Sequence, residues 1–391
     1  MSKWKKVKLE AYIEQIRGVS YKPDDASDKL VEGYLPVLRA NNIKDDALVF
    51  DDFVYVKEKK IKKEQMIKKG DVIVCTSSGS KDLVGKAAQA KTDLTMSFGA
   101  FCKGIRPNKN ILPEYLGNFF KSPIYRKTIS KSSAGANINN IKTEHFDSLE
   151  IPLPSMEEQK KIAARLDAVS DLLEKQKQLL AEQDALIQSL FYKIFGEFRL
   201  SQQKAEWIKI SRIACVAGGS TPKTQIREYW NGDLNWFTPV ELEDCSWYVY
   251  SSQRKITEAA VKSAHLAEFP INTVLLTSRA PIGKLAMAKE KFYCNQGFKN
   301  IVCGENVIPS YMYHLLMYNV DYLKSLGKGA TFKEISKTIV EDIKIPVPPL
   351  ELQEKFAAVV EQIEAEKSKI KSAIAETQNL FNALMAEYFE D

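Results

Sequence analysis

The residues of this chain that could do chemistry are few, and their spacing tests each reaction class in turn. Six cysteines stand at 75, 102, 215, 245, 294 and 303 with no Cys-x-x-Cys pair, and three histidines are scattered at 145, 265 and 314. A zinc ion needs clustered ligands, so this pattern argues against a metal centre and suits free thiols in a reducing cytosol. The stretch Gly79-Ser80-Lys81-Asp82-Leu83-Val84-Gly85-Lys86-Ala87 resembles a phosphate loop but has one residue too many and ends in alanine. It reads as a loop that follows a strand. No G-x-G-x-x-G segment is present to hold a nucleotide cofactor. Pro348-Pro349 are the only adjacent prolines and are followed by Leu350, so the Asn/Asp-Pro-Pro-aromatic tetrad of an amino-group methyltransferase is missing. Asp24, Glu58 and Lys60 could serve a metal-dependent nuclease, yet the later Pro222, which matches Pro23, is followed by Lys223. His314, in Tyr313-His314-Leu315-Leu316, reads as part of a helix face. The expectation is a chain with no catalytic residues and no metal.

What the elements must position becomes clear from a duplication. Ile151-Pro152-Leu153-Pro154 followed by Gln159 recurs as Ile345-Pro346-Val347-Pro348 followed by Gln353. Gly135-Ala136 and Ile141 match Gly329-Ala330 and Ile335, and Gly85-Lys86 matches Gly283-Lys284. Trp4, Val7 and Pro23 match Trp207, Ile210 and Pro222. The offset drifts, as it does when loops differ in length between two copies of one domain. Each copy has a globular part followed by a helix. Asp71–Cys75 and Thr273–Thr277 are short β-branched runs that read as buried strands, as do Phe50–Val56 and Trp247–Tyr250. Residues 113–130 and 309–326 read as helices begun at Pro113 and Pro309. Thr76-Ser77-Ser78-Gly79 aligns with Thr277-Ser278-Arg279-Ala280.

The two helices that close the copies carry a seven-residue period. Ser155 and Glu158 have capping-box spacing, and neither proline nor glycine interrupts the chain from there to Phe195. Leu166, Leu173, Leu180 and Ile187 fall seven apart, with Ile162, Val169 and Leu190 interleaved; Gln176 and Gln183 are polar interruptions. In the second copy Val360, Ile374, Phe381 and Tyr388 keep the period, with Phe356, Ile363, Ile370 and Leu384 interleaved and Lys367 and Thr377 as exceptions. Sustained heptads predict coiled-coil packing of the two helices on one another. A helix of ~40 residues runs about 60 Å, too long to lie on one small domain.

Composition sets the frame. The 391 residues, 45% apolar and 10% aromatic, suffice for at least two cores. Net charge is +6, but it is +8 over residues 1–150, −1 over 151–200, +4 over 201–350 and −5 over 351–391. The basic blocks suit a polyanion partner, a value that ordinary domains also reach. Met1-Ser2-Lys3-Trp4-Lys5-Lys6 lacks the apolar segment of a signal peptide, and no apolar run approaches the ~20 residues that span a bilayer, so a cytoplasmic location is expected.

The ordered pieces Gly18-Val19-Ser20-Tyr21-Lys22-Pro23 and Leu35-Pro36-Val37-Leu38-Arg39 in the first copy have counterparts in the second. These are Gly218-Gly219-Ser220-Thr221-Pro222, Trp236-Phe237-Thr238-Pro239, Leu276–Lys284 and Asn295-Gln296-Gly297-Phe298. With the paired Ile-Pro-x-Pro segments they resemble the specificity subunit of Type I restriction–modification enzymes over essentially the whole chain. The resemblance implies an α+β fold with pseudo-two-fold symmetry. Two mixed α/β target-recognition domains, 1–150 and 201–344, are separated by two long antiparallel coiled-coil helices, 151–200 and 345–391. It implies a DNA-binding, non-catalytic subunit in which each domain reads one half of a bipartite double-stranded site. The helices would set the spacer and dock two methyltransferase subunits. Partner subunits would use S-adenosylmethionine on adenine, and restriction/translocase subunits would use ATP and Mg2+; no cofactor is expected on this chain. The competing readings are a metal-dependent DNA nuclease and a coiled-coil adaptor without DNA.

Phosphate contacts need Lys and Arg, which the two globular copies supply in excess. The candidates are Arg39, Lys81, Lys86 and Lys131 in the first copy, and Lys223, Arg279, Lys284 and Lys328 in the second. Side chains able to read base edges are Asn137, Asn139, Asn140, Asn295 and Gln296. Any single lysine reads more readily as a solvated surface charge, Asn139-Asn140 reads equally as turn chemistry, and Trp230 and Trp236 read as core.

Overall fold

The computed structural model of the chain describes residues 4–80, 82–132, 140–243, 247–328 and 333–390. The chain divides into two compact units, 1–178 with 371–391 and 179–370, and each holds its own core. No helix among the described residues is long and apolar enough to cross a membrane.

In the first unit the apolar run Val72–Cys75 is buried along its whole length. It pairs antiparallel with Cys102–Pro107, Cys75 opposite Cys102, and on its other side with Ala87–Gln89; Ile13–Arg17 extends the sheet beyond Cys102–Pro107. A second four-stranded sheet orders Ser97–Phe98, Tyr34–Leu38, Val54–Lys57 and Ala26–Ser27, with Phe98 parallel to Leu38. The strand expected over 50–56 begins only at Val54, because Asp52 takes a left-handed φ of 48° and breaks the extended run. The loop after Cys75 leads into Ala87–Gln89, a strand, whereas a phosphate loop opens a helix.

The second unit repeats the plan. Val274–Leu276 lies between Asn300–Cys303 and Leu285–Ala288, with Ala214–Ala217 and Tyr248–Val249 at the edges. Trp236-Phe237 runs parallel to Tyr293-Cys294, as Val37-Leu38 does to Ser97-Phe98. Each unit is closed by one antiparallel pair before its long helix begins: Val7 opposite Ile151 and Ile208 opposite Ile345.

The helices begun at Pro113 and Pro309 are each broken in two. Pro113–Lys121 ends because Ser122 precedes Pro123 and is held extended at ψ 147°; a second helix, Pro123–Ser132, follows. Pro309–Met317 ends without a proline. Asn319 leaves the helix so that its amide nitrogen donates to the carbonyls of Phe198 and Leu315, both at 2.9 Å, while its Oδ1 accepts from the Leu200 amide. Val320–Ser325 then resumes.

The long helices are Met156–Phe195 and Leu350–Phe389, 40 residues each. A buried glutamine anchors the start of each one. Gln159 accepts from the Leu112 amide at 2.8 Å and donates to the Pro154 carbonyl; Gln353 accepts from the Ile308 amide at 2.8 Å and donates to the Pro348 carbonyl. Tyr115 and Tyr311 donate to the carbonyls of Pro152 and Pro346. The helix ends are exchanged between cores. Met385, Tyr388 and Phe389 are buried with Ile162 and Leu166 in the first unit, Phe389 lying 5.2 Å from the Tyr115 ring. Phe191 and Phe195 are buried with Phe356 and Val360 in the second unit, Phe195 lying 4.9 Å from Tyr311. Within the second unit Asp184 meets Lys367 while Phe191 meets Phe356, so the helices run antiparallel there. Every heptad residue expected at the interface is buried or half-buried: Val169, Leu173, Leu180, Ile187, Leu190, Ile363, Ile370, Ile374, Phe381 and Leu384 join those already named. The polar exceptions are accommodated. Lys367 reaches Asp184 and Glu364 at 2.5 Å, and the Thr377 hydroxyl donates to the Ala373 carbonyl.

Candidate nucleic-acid interface

Equivalent backbone hydrogen bonds place three loops together in each unit. In the first unit Gly85 donates to the Cys75 carbonyl and Cys75 to that of Lys86; in the second Gly283 donates to Thr277 and Thr277 to Lys284. Both glycines are left-handed, φ 81° and 92°, a conformation that a side chain would strain. The sequence alignment is thereby corrected by one residue: Cys75, not Thr76, occupies the place of Thr277. Ser77 then stands where Arg279 stands. The register is reinforced by Ile141 donating to Thr76 and Ile335 to Ser278, both at 2.9 Å, with Asn140 bridging Ser77 and Glu334 bridging Arg279.

A further loop crosses behind. The amides of Thr76 and Ser77 both donate to the Phe101 carbonyl, and the Ser278 amide donates to that of Gly297. Gly18 and Gly219 lie where a Cβ would collide with the carbonyls of Gly99 and Cys294, so only glycine admits this crossing. The 3-10 turns Ala40–Asn42 and Pro239–Glu241 complete the set, each closed by a side chain three residues on, Asn42 to the Arg39 amide and Glu241 to the Thr238 amide.

On this scaffold the expected contact residues fall into distinct settings. Arg39 is half-buried, its Nη2 donating to the Asp52 carbonyl at 2.8 Å and pairing with the carboxylate at 3.0 Å. Asn140 is exposed beside Ser77. Lys131 is exposed in the last turn of its helix, and Lys86 is half-buried with its backbone in the glycine turn. Lys81, Asn137 and Asn139 lie outside the described residues. In the second unit Arg279 pairs with the Glu334 carboxylate at 3.0 Å, and the Lys328 backbone bridges the Glu334 backbone, so two expected residues meet at Glu334. Burial opposes ionisation of Glu334, yet hydrogen bonds from Lys299 and Arg279 hold its carboxyl below the usual range. Asn295 Oδ1 accepts from the Gly297 amide, and exposed Gln296 accepts from the Thr221 hydroxyl at 2.7 Å. Lys223 is exposed, its carbonyl accepting from the Trp230 indole. Lys284 is turned inward, Nζ donating to the Leu242 carbonyl at 2.7 Å, which gives it a bracing role. Trp236 is buried and Trp230 half-buried, edge to face at 5.1 Å.

Sequence reasoning missed Asn41, Phe101, Val240, Lys299 and Glu334. No local pattern marks them; they join the site only because separate loops converge. Of the residues weighed for a nuclease, Lys60 pairs with the neighbouring Asp25 carboxylate at 3.1 Å, and the Asp24 backbone carbonyl accepts from Lys57 at 2.8 Å.

The profile of the family described as "Type I restriction modification DNA specificity domain" matches residues 1–183 and again 203–377. The chain is 29% identical over 408 residues to the Type I restriction enzyme StySPI specificity subunit of Salmonella potsdam, covering 99% of this chain and 88% of that protein. A more local match, 46% identical over 154 residues, is to the EcoKI specificity subunit of Escherichia coli strain K12, covering 39% of this chain and 33% of that one. In fold the chain is similar to the S subunit of a Type I restriction-modification system from M. genitalium, with a TM-score of 0.63 and 16% identity, covering 100% of this chain and 97% of that one.

Proposed function

Because the chain belongs to the Type I restriction modification DNA specificity family, we propose that it recognises a bipartite double-stranded DNA sequence, each unit reading one half. The observation that carries this reading is the doubled scaffold with unlike loop side chains. The backbone hydrogen bonds around Cys75 and Thr277 are the same, while Ser77, Asn140 and Phe101 are replaced by Arg279, Glu334 and Gly297. A fixed frame with changed side chains is what two readers of different half-sites need, since base contacts specify and phosphate contacts position.

The chain itself performs no catalysis in this reading. Methyl transfer from S-adenosylmethionine, and cleavage driven by ATP with Mg2+, belong to partner subunits. The long helices hold the spacer between half-sites and dock methyltransferase subunits. Supporting the docking role, the helices carry exposed apolar residues away from their buried seam: Leu172 and Leu380 in the first unit, and Leu179, Leu186 and Val359 in the second. The test is methylation mapping in cells carrying the whole system, with and without this chain, and with residues 1–150 replaced by a related domain. Loss of the motif without the chain, and a change in one half only after the replacement, are expected. Simultaneous change of both halves would refute the two-reader assignment.

A further inference from the structure

A cavity of about 830 Å³ opens in the first unit between the 3-10 turn, Ser77-Ser78-Gly79 with Leu83, and the loop at 99–102. Three side chains on its lining have no explanation as core. Phe101 is 69% exposed, although its backbone is fixed by hydrogen bonds from Thr76 and Ser77. Arg39 is held by Asp52 while its Nε is buried with no partner among the described residues. Asn41 gives one amide proton to the same Asp52 carboxylate at 2.7 Å, which leaves its second proton to donate and its Oδ1 to accept. Asp52 is in the left-handed region at φ 48°, and that twist is what turns both its carbonyl and its carboxylate toward Arg39.

The hydrogen-bond register names the counterparts. Leu38 lies opposite Phe98 as Phe237 does opposite Cys294, so Arg39 corresponds to Thr238 and Asn41 to Val240. Phe101 corresponds to Gly297, since each carbonyl accepts from the amide at the matching position, Thr76 or Ser278. Val240 is 82% exposed. The two units thus present Arg, Asn and Phe in one case, and Thr, Val and Gly in the other, on the same frame.

We propose that Arg39, Asn41 and Phe101 are specificity-determining residues of the first unit, reading base edges of duplex DNA at the mouth of this cavity. This rests on the DNA-recognition reading above. The chemistry follows from the groups. With Nη2 held by Asp52 and Nε buried, the Arg39 guanidinium presents its Nη1 amino group in a fixed plane, which suits an acceptor on the guanine edge, O6 or N7. An asparagine offers the donor and acceptor that adenine takes, and a rigidly mounted exposed ring offers apolar contact to a thymine methyl or a base face. The second unit, with Val240 and Gly297 at these positions, reads its half-site without that set.

The test uses the assembled modification complex and maps its methylated motif with Arg39→Lys, with Phe101→Gly, and with the triple exchange R39T/N41V/F101G, which installs residues that the second unit's frame already carries. Arg39→Lys keeps the charge and loses the planar fork, so it should relax one base of the first half-site by roughly tenfold or more while nonspecific DNA affinity is retained. The triple exchange should alter the first half-site and leave the second unchanged. If a variant no longer methylates, binding of the complex to cognate and half-site-altered duplexes decides. Selective loss on the cognate duplex supports the assignment, and equal loss on both by a chain that melts normally overturns it. An unaltered motif with full methylation also overturns it. These outcomes are separable from failure of the functional reading, in which deleting the whole chain would leave the methylation motif in place.

Discussion

Phe389 is the final residue of the second long helix, which ends in the core of the first unit. It is 1% exposed, with the rings of Tyr115 at 5.2 Å and Phe119 at 5.7 Å. Phe389→Ala removes a fully buried ring and leaves a cavity walled by a tyrosine and a phenylalanine that cannot both close in. Such truncations cost about 3–5 kcal/mol, of which aromatic edge contacts supply roughly 0.5–1.5 each. Against the 5–15 kcal/mol typical of a domain, that is a large share of one unit's stability. The assay is peptide-resolved hydrogen exchange on the full chain. Protection should fall about a hundredfold or more in Pro113–Lys121 and the Ile162–Leu166 turn, because 1.4 kcal/mol is a factor of about ten in the opening equilibrium. Pro309–Met317 should be unaffected. Phe195→Ala, whose ring packs on Tyr311 and Phe356, should give the converse. If Phe389→Ala loosened both units equally, or Pro309–Met317 alone, the exchange of helix ends between two separate cores would be refuted.

Inserting one heptad after Gln178 and another after Ile370, where the chain passes between units, keeps the apolar seam and each core. If the helices lie along the duplex, about 10 Å of added helix lengthens the spacer by roughly three base pairs in the methylation motif of the assembled complex, and an active variant with its original spacer would contradict the ruler role. Lys367→Met strands the largely buried Glu364 carboxylate and should destabilise the second unit by about 2 kcal/mol in urea melts, less than a fully buried pair because Asp184 is mostly exposed. K367M/E364Q should recover most of that loss, and a single variant as stable as the parent would show the pair to be inert. His314 is buried among Trp247, Tyr313 and Phe356, and burial depresses its imidazole to about 3 although the hydrogen bond to the Ser310 carbonyl opposes this. The unfolded chain therefore binds the extra proton as pH falls from about 6.5 toward 3, and stability is lost across that window. His314→Leu should flatten the dependence, and an unchanged pH slope of the urea midpoint would rule this out.

The sequence by itself determined the duplication, the two long helices and their buried heptads. These are written in local periodicity, which depends only on the repeat of the helix and the pairing of neighbouring turns. Val72–Cys75 and Val274–Leu276 were equally legible as buried strands because continuous β-branched runs have few other solutions. Tertiary structure alone decided where elements stop and which residues meet. Asn319 ends a helix by bonding to Phe198 and Leu200, more than a hundred residues earlier, and nothing around Asn319 announces that. The one-residue shift that aligns Ser77 with Arg279 as equivalent positions comes from hydrogen bonds between strands, which similarity of letters does not encode. The sequence offers Lys284 as a phosphate contact, whereas the fold sets its Nζ on the Leu242 carbonyl, and no local signal singles out Phe101, whose backbone is pinned with the ring outside. A contact surface made of separate loops has no period, so side-chain roles on it are fixed only when the folded cores bring those loops to one place.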